Sequence, residues 1–578
     1  MNPVGMVFLS LALMAQGVEL QPTTDTNRAD GVTVSAGSAV GYLLSCQKAN
    51  GAFGPPDQEY TDLAWTYPAV HALQLLGESV PRPEDCYLNG VTAFDRTPFW
   101  SRYQLEMLGR ILRANEYSPP KASDLSCDSL HSLWCESVVR GFPVGNRKEA
   151  LAYVLARQKR DGSFVDGDLG SVETRTSHVV WTFYAIAIAE SLNSDRPHKA
   201  ACIEWLKSCQ AKSGGFRWSP IESVHANYED VWYAWAAVLA LKSLDAEPND
   251  VEKCIDWVNA LQSADGGFAD KPGWRSRLYS TYYAVHILHA LTGDATSAIR
   301  SKTVAARSPA PIAKGKYRIF QAHSKSPPGG PEMVDAVHEM GIDLVGVKAY
   351  PHEMTDAYAY AKQRRLPVTL LSNPEFYPHQ LRFLDGRSGN HVANFMIPLD
   401  LSETDRAIYA SANSVGQQDL TWPEYQNKVI APMMKLGTLF WPEWDAGRAQ
   451  WGMLDAYLSY DDGVFGRPGY NAVHAASKLA GQDRIRLYPW RERYVGLLPF
   501  IADCDAHGDI RKYAPALNLY RNIYIAKTNS FEDYLDASLN GRSVCVLRTE
   551  DVPSGIVYYG APAAVDYIKR HQNAWKWW

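Results

Sequence analysis

Concentrated positive charge is the first thing this sequence lacks. Its 57 Lys and Arg face 63 Asp and Glu, for a formal net charge of −6, and the basic residues never gather into a run. A nucleic-acid groove needs a basic stripe, so that class of function is set aside. Cysteine is sparse and unpatterned: nine residues, an odd number, with no C-x-x-C pair. Neither a disulfide framework nor a thiolate zinc site is indicated. Cys202 and Cys209 fall seven apart on one expected helix, too far to bridge, whereas Cys127 and Cys135 could pair if the chain is exported. Beyond the first residues there is no apolar run of membrane-spanning length, so no transmembrane span is expected.

What is present is apolar and aromatic. The 46% hydrophobic content suits well-filled cores, and 578 residues should divide into more than one domain. Eighteen Trp and 32 Tyr mean core more often than a lined cavity or a carbohydrate surface. A short apolar run, Met6 to Ala15, precedes Ala15-Gln16-Gly17, a small-x-small cleavage pattern. Residues 1–17 therefore read as a secretory signal, and an extracytoplasmic protein, periplasmic or secreted, is expected.

A cassette then recurs. It reads Cys46-Gln47-x-x-x-Gly51-Ala-Phe53, Gln158-x-x-x-Gly162-Ser-Phe164, Cys209-Gln210-x-x-x-Gly214-Gly-Phe216 and Gln262-x-x-x-Gly266-Gly-Phe268. The last three glutamines are 52 apart, and the gap of 111 before them leaves room for one degenerate unit. Repeats of this length mean stacked supersecondary units. Helical patterns precede each cassette, as in 201–207 and 254–261, and the glycine is expected to cap that helix with a positive φ. Aromatic-rich helices follow over 65–76, 180–192, 232–244 and 279–291, apolar all round as buried helices are; the degenerate unit keeps one over 99–112. His71 and His286 fall at the same place in their repeats, which favours a packing role over a metal site.

These cassettes resemble the prenyltransferase/squalene-cyclase repeat over residues 38–292, which implies an all-α α/α toroid. The family's chemistry is not matched. Where protein prenyltransferases carry a zinc-binding Asp-x-Cys, this chain reads Asp230-Val231-Trp232. Where terpene cyclases carry Asp-x-Asp-Asp, it reads Asp166-Gly-Asp168-Leu169. The toroid is thus expected to be a scaffold or a binding cup for an apolar or glycan small molecule.

Residues 293–316 are polar, rich in Ala, Ser and Pro, and read as a linker. After it the grammar becomes strand–helix alternation: strands at 317–321, 342–347, 367–371, 392–397, 438–441 and 454–459, and helices at 331–340, 354–364, 425–436 and 470–480. A last apolar strand runs from Val495 into Asp505-Ala506-His507-Gly508. This is α/β architecture, with a largely parallel sheet, open or closed into a barrel. Strand ends carry oxygen and nitrogen donors: Gln321-Ala-His323, Asn373-Pro-Glu375, His391 and Asp505-Ala-His507. Converging at one end of a barrel, such donors suit Zn, Mn or Fe.

The arrangement is similar to the PHP (polymerase and histidinol phosphatase) family, in its CehA/McbA-like branch, over residues 317–549. The phrase Met340-Gly-Ile-Asp-Leu-Val-Gly-Val347 and the tail Asn529 to Ser543 also match, leaving 550–578 as a C-terminal extension. The resemblance implies a distorted (β/α) barrel and His323, Glu375, His391, Asp505 and His507 as metal ligands, with His391 and His507 also able to shuttle protons. It departs at Gln321 for the first histidine, at Lys348-Ala349 for an Asp-His, with His352 as a displaced counterpart, and at Phe440-Trp441-Pro442 for Ala-His-Pro. A trinuclear site is thereby excluded, leaving one divalent ion or none, and Lys348 could stand in for a lost metal's charge. The reading is an exported two-domain protein: a PHP-type metal-dependent hydrolase, phosphoesterase or esterase, with a non-catalytic toroid. The alternative is an inactive binding or scaffold protein; a terpene cyclase or prenyltransferase ranks below both.

Overall fold

The computed structural model describes residues 38–94, 99–112, 129–140, 146–166, 177–194, 198–220, 228–300, 312, 317–326, 330–347, 349–372, 375–376, 381–382, 388–389, 392–416, 418–436, 439–443, 473–477, 500–503, 511, 520–548 and 554–575. For 323–326, 375–396, 439–477 and 501–503 that description is confined to backbone. The chain divides into two compact units, Met1–Arg307 and Ser308–Trp578.

The first unit is a ring of helices. Six inner helices are α2 (Leu63–Leu75), α4 (Phe99–Leu112), α5 (Leu130–Arg140), α7 (Val179–Ser191), α9 (Val231–Ser243) and α11 (Leu278–Thr292). Each packs on the next, and α11 packs back on α2, so the ring closes. Outside them lie α1 (Ala39–Ser45), α3 (Pro83–Phe94), α6 (Arg147–Leu155), α8 (Lys199–Ser208) and α10 (Val251–Asn259), packed on α2, α4, α7, α9 and α11 respectively. The division follows from composition. In α9 all but Trp232 and Lys242 are buried, whereas α10 buries one face and leaves Glu252, Lys253 and Asp256 outside. Between the first two cassettes the sequence suggested one degenerate unit; the structure has two inner helices there, α4 and α5. The signal was present in Leu130, Leu133 and Trp134, spaced for one helix face.

Aspartates cap α2 and α9. Asp62 accepts from Ala64 N at 2.8 Å and Asp230 from Trp232 N at 2.9 Å, caps that each contribute about 1 kcal/mol. The cassette glycines do not end helices, contrary to expectation. The outer helices stop at Ser45, Ser208 and Asn259 on right-handed C-caps, and Gly51, Gly214 and Gly266 come later, each in a tight turn. That turn closes a small hairpin in which Gln47 bridges Phe53, Gln158 bridges Phe164, Gln210 bridges Phe216 and Gln262 bridges Phe268. Each glutamine Nε2 donates to the glycine carbonyl four residues on, at 2.8–3.2 Å. Gly214 is needed twice over: its φ is +103°, and a Cβ there would lie 2.1 Å from Lys253 O on the next outer helix. The cassette is therefore an interlock between units. Gln210 also donates to Asp250 O, the cap residue of α10, at 2.9 Å.

In the second unit a mixed sheet runs in the order β14-β13-β12-β1-β2-β3-β7-β4, with β9 paired to β7. The strands are β1 (Arg318–Ser326), β2 (Leu344–Val347), β3 (Thr369–Ser372), β4 (Glu375–Phe376), β7 (Val392–Pro398), β9 (Leu439–Glu443), β12 (Tyr520–Ala526), β13 (Ser543–Arg548) and β14 (Ile556–Gly560). Only β1, β2 and β3 pair in parallel within it, joined by α12 (Pro331–Glu339) and α13 (Thr355–Arg364); its other pairings are antiparallel. Short strands β5 (Leu381–Arg382), β6 (Ser388–Gly389) and β8 (Leu420–Thr421) make a small separate sheet. Residues 473–477, expected to be helical, form β10 instead, parallel to β11 (Phe500–Asp503). A short apolar run carries no decisive period, and tertiary pairing chose the strand. The expected strand at 454–459 lies outside the described residues.

Residues after 549 complete this unit. The strand β14 pairs with β13, and Trp575, 1% exposed, packs against Ile523, Ile525, Val544 and Val546 together with the helix Pro562–Arg570. Its Nε1 donates to Ile568 O at 2.9 Å, so the indole's one polar atom is satisfied.

Candidate functional site

Five donors were expected to meet in the sheet unit. His391, Asp505 and His507 lie outside the described residues, as do Lys348 and the signal-like residues 1–17. For His323 and Glu375 the backbone alone is placed. His323 is on β1 in register with Val345 of β2, and Glu375 follows the end of β3 and pairs with Asn394 of β7. Since β1, β2 and β3 are parallel, both residues belong to the strands' C-terminal edge, where α/β folds carry their sites. His352 is exposed on a short helix after β2, its ring stacked on Tyr350 at 5.8 Å. Among the described residues, no group of three or more His, Cys, Asp or Glu could hold a metal ion.

The fifth residue of every inner helix is aromatic: Tyr67, Tyr103, Trp134, Phe183, Trp235 and Tyr282. Going round the ring, consecutive centroids are 5.6, 4.8, 5.8, 4.8, 6.4 and 5.9 Å apart, the last step returning from Tyr282 to Tyr67. None of the six is more than 5% exposed. The rings form a closed belt whose neighbours sit at separations that favour edge and offset contacts. Composition counted these aromatics, but only their shared place in each helix could have shown that they meet.

Imidazoles adjoin the belt where the ring closes. His71 Nδ1 pairs with Tyr67 Oη at 3.2 Å, and Trp235 Nε1 donates to His286 Nδ1 at 3.1 Å. The rings of His71 and His286 lie 5.5 Å apart. Burial brings His71 down to about 4 and holds His286 well below the usual imidazole range, so both are neutral at pH 7. His286 Nδ1 accepts from the indole and therefore carries no proton. This is the repeated packing role that the sequence suggested.

Neither Asp-x-Cys nor Asp-x-Asp-Asp occurs at the matching positions of this chain. The carboxyl group of Asp166 accepts from Leu130 N at 3.1 Å and lies 3.7 Å from Arg157 Nε, which ties it to the start of α5. Asp168 lies outside the described residues. Asp230 caps α9 and is 2% exposed, and Trp232 stands where the Asp-x-Cys motif has its thiolate. The cysteines of this unit that are described, including Cys202 and Cys209, are buried free thiols, and Cys127 lies outside the described residues. Among the described residues no helix is long and apolar enough to cross a membrane.

Comparison with known proteins agrees with the helical ring. Residues 9–109 and 125–308 match the family model described as the prenyltransferase alpha-alpha toroid domain. Among solved structures, protein geranylgeranyltransferase-I of Candida albicans, complexed with GGPP, is similar at 16% identity. The match covers 42% of this chain and 93% of that one, with a TM-score of 0.32. A two-domain protein of Bacteroides vulgatus containing a predicted PHP-like metal-dependent phosphoesterase is similar at 16% identity, over 41% and 68% of the two chains, with a TM-score of 0.26. The type II terpene cyclase MstE from Scytonema matches at 14% identity over 51% and 78%, with a TM-score of 0.23.

Proposed function

We propose, from a prenyltransferase-type alpha-alpha toroid joined to a separate sheet-containing unit, that the toroid binds without catalysing and that any turnover belongs to the sheet unit. The observation that carries this is the aromatic belt. Its interior offers rings and neutral imidazoles, while Asp166 accepts from Leu130 N at the start of α5 and Trp232 stands where a thiolate would be. Protonating an alkene needs a strong acid, and activating a prenyl acceptor needs a metal-bound thiolate; neither stands among the described residues. The half-buried Trp181, Trp232 and Tyr279, near the start of their helices, suit an apolar small molecule or a glycan face.

The sheet unit reads as a PHP-like metal-dependent hydrolase of phosphoesters or esters, acting outside the cytoplasm if residues 1–17 direct export. One carboxylate pair and three imidazoles are a donor set that fits a single Zn, Mn or Fe ion. His323, Glu375 and Asp505 would hold it, and His391 and His507 would complete the shell or carry protons. Such an ion, when bound, supplies Lewis acidity and brings the pKa of a water toward neutrality. A second reading, a metal-free binding protein, is favoured by Gln321, whose side-chain oxygen Oε1 is enclosed with no hydrogen-bond partner where a ligand imidazole was expected.

Elemental analysis of the purified protein decides between them. About one transition-metal ion per chain, lost in the double variant His323→Ala, Asp505→Ala, is the expected result for the hydrolase. Metal-free protein with no action on p-nitrophenyl phosphate or p-nitrophenyl acetate would leave only the binding reading. Product formed from squalene or a prenyl diphosphate would overturn the non-catalytic toroid.

A further inference from the structure

Beside the aromatic belt, towards the starts of the inner helices, lies a second set of rings that carry polar atoms. Belt residues are at most 5% exposed, whereas Trp181, Trp232, Tyr279 and Tyr283 are half-buried, so solvent reaches this set. Measured separations join it to the belt. Tyr283 lies 5.0 Å from Trp235 and 5.7 Å from Tyr279. Tyr184 lies 4.9 Å from Trp134 and 6.1 Å from Trp181. Trp181 and Trp232, from neighbouring helices, both flank His178, at 5.3 and 6.5 Å. Gln104 Nε2 donates to Tyr279 Oη at 2.8 Å. Since α2 stands between their helices in the ring, that bond links inner helices that are not neighbours.

Two hydroxyls in this set are unused. Among the described residues neither Tyr184 Oη nor Tyr283 Oη has a hydrogen-bond partner, although Tyr184 is only 4% exposed. Burial above all raises both phenols well beyond their usual range, with Tyr279 adding to each, so both are hydroxyls at pH 7. A hydrocarbon laid here would seal them from water unpaired, the costly outcome for a polar group. A diphosphate calls for cationic partners, and these rings are neutral. A pyranose with equatorial hydroxyls meets both conditions. Its axial C–H faces lie on Trp and Tyr rings, and its rim of hydroxyls both donates and accepts.

We propose that this surface binds a neutral β-linked glycan, stacked on Trp181, Trp232 and Tyr279 and hydrogen-bonded by Tyr184 and Tyr283, an assignment that rests on the reading of the toroid as a binding cup. Gln104 acts through Tyr279, as a positioning residue. The test uses the full chain, with calorimetry and tryptophan fluorescence against cellohexaose, chitohexaose and geranylgeraniol. At least one hexasaccharide should bind and shift the tryptophan emission. Tyr184→Phe and Tyr283→Phe, which keep the rings and remove one hydroxyl each, should weaken that binding about three- to tenfold. Trp232→Ala should weaken it about tenfold or more.

Circular dichroism and melting curves establish that the variants fold. Should Trp232→Ala fail to fold, the two near-isosteric Phe variants carry the test. Geranylgeraniol bound in place of either hexasaccharide would keep the cup and discard the glycan. Glycan binding that the Phe variants weaken, together with product formed from a prenyl diphosphate, would keep the surface and discard the non-catalytic reading. Hexasaccharide affinity unchanged in every variant would place the sugar elsewhere and overturn the assignment. A wild type that binds neither hexasaccharide overturns it outright.

Discussion

The two units put their chemistry together in opposite ways. In the toroid, one residue type at one place in each of six helices becomes a closed belt because the helices repeat. In the sheet unit the candidate donors come from unlike segments, and only strand register relates them: His323 to Val345, Glu375 to Asn394, Gln321 to Ile523. A repeat makes position readable from local order. A mixed sheet makes it depend on pairings between distant segments, such as Arg318 with Ala526.

That contrast can be broken or sharpened by experiment. Trp235→Ala removes a belt ring and its bond to His286, and should cost the toroid about 4 kcal/mol in chemical denaturation. The metal content of the sheet unit should not change; if it fell together with toroid stability, the two would not be separable systems. Next in size is Gly214→Ala, expected to cost about 3 kcal/mol because its Cβ meets Lys253 O and its φ is positive. Gly273→Ala is the control, with a positive φ but open space around it, and should cost only about 1 kcal/mol. Equal losses would mean that the interlock between units contributes nothing.

Acid comes third. A folded-state imidazole held below its unfolded pKa favours the native state above the unfolded value, and that advantage is lost on acidification. For His71 the decline should begin below about pH 6.5 and be complete near 4, a loss on the order of 2–3 kcal/mol. His286 and His289 shift the same way through burial, with Asp294 opposing the shift at His289. Thermal melts of His71→Phe should lose part of this slope, and an unchanged slope would show that the imidazole already binds a proton when folded.

The smallest effect is expected at Thr281→Val, which takes the acceptor from Phe268 N, now 2.9 Å from Thr281 Oγ1, and should cost about 1 kcal/mol. Thr66 and Thr182 play the same part in their units, while the corresponding residue of α9 is Ala234. The ring therefore tolerates the loss once. A cost well above 2 kcal/mol would show that the hairpins are not equivalent.

Much of the toroid was legible because helix burial and caps are local matters. The inner helices at 180–192, 232–244 and 279–291 were placed to within two residues at each end. Failures came where a local pattern had two outcomes. The cassette glycine could cap a helix or turn a hairpin, and its contact with the following outer helix required the hairpin. Residues 473–477 could coil or extend, and pairing with β11 decided for a strand. Gln321 was seen only as a missing histidine, since nothing near it in sequence says what faces it.

The amino-acid order alone settled that there is a repeated helical unit, a change of grammar near residue 300, and which residue types stand at each strand end. Those are consequences of spacing along the chain, and spacing is written in it. That α11 returns to α2, that six rings touch in sequence, and that Gln321 stands opposite Ile523 were settled by closure and register. Both are properties of segments brought together from afar, and no window of neighbouring residues contains them.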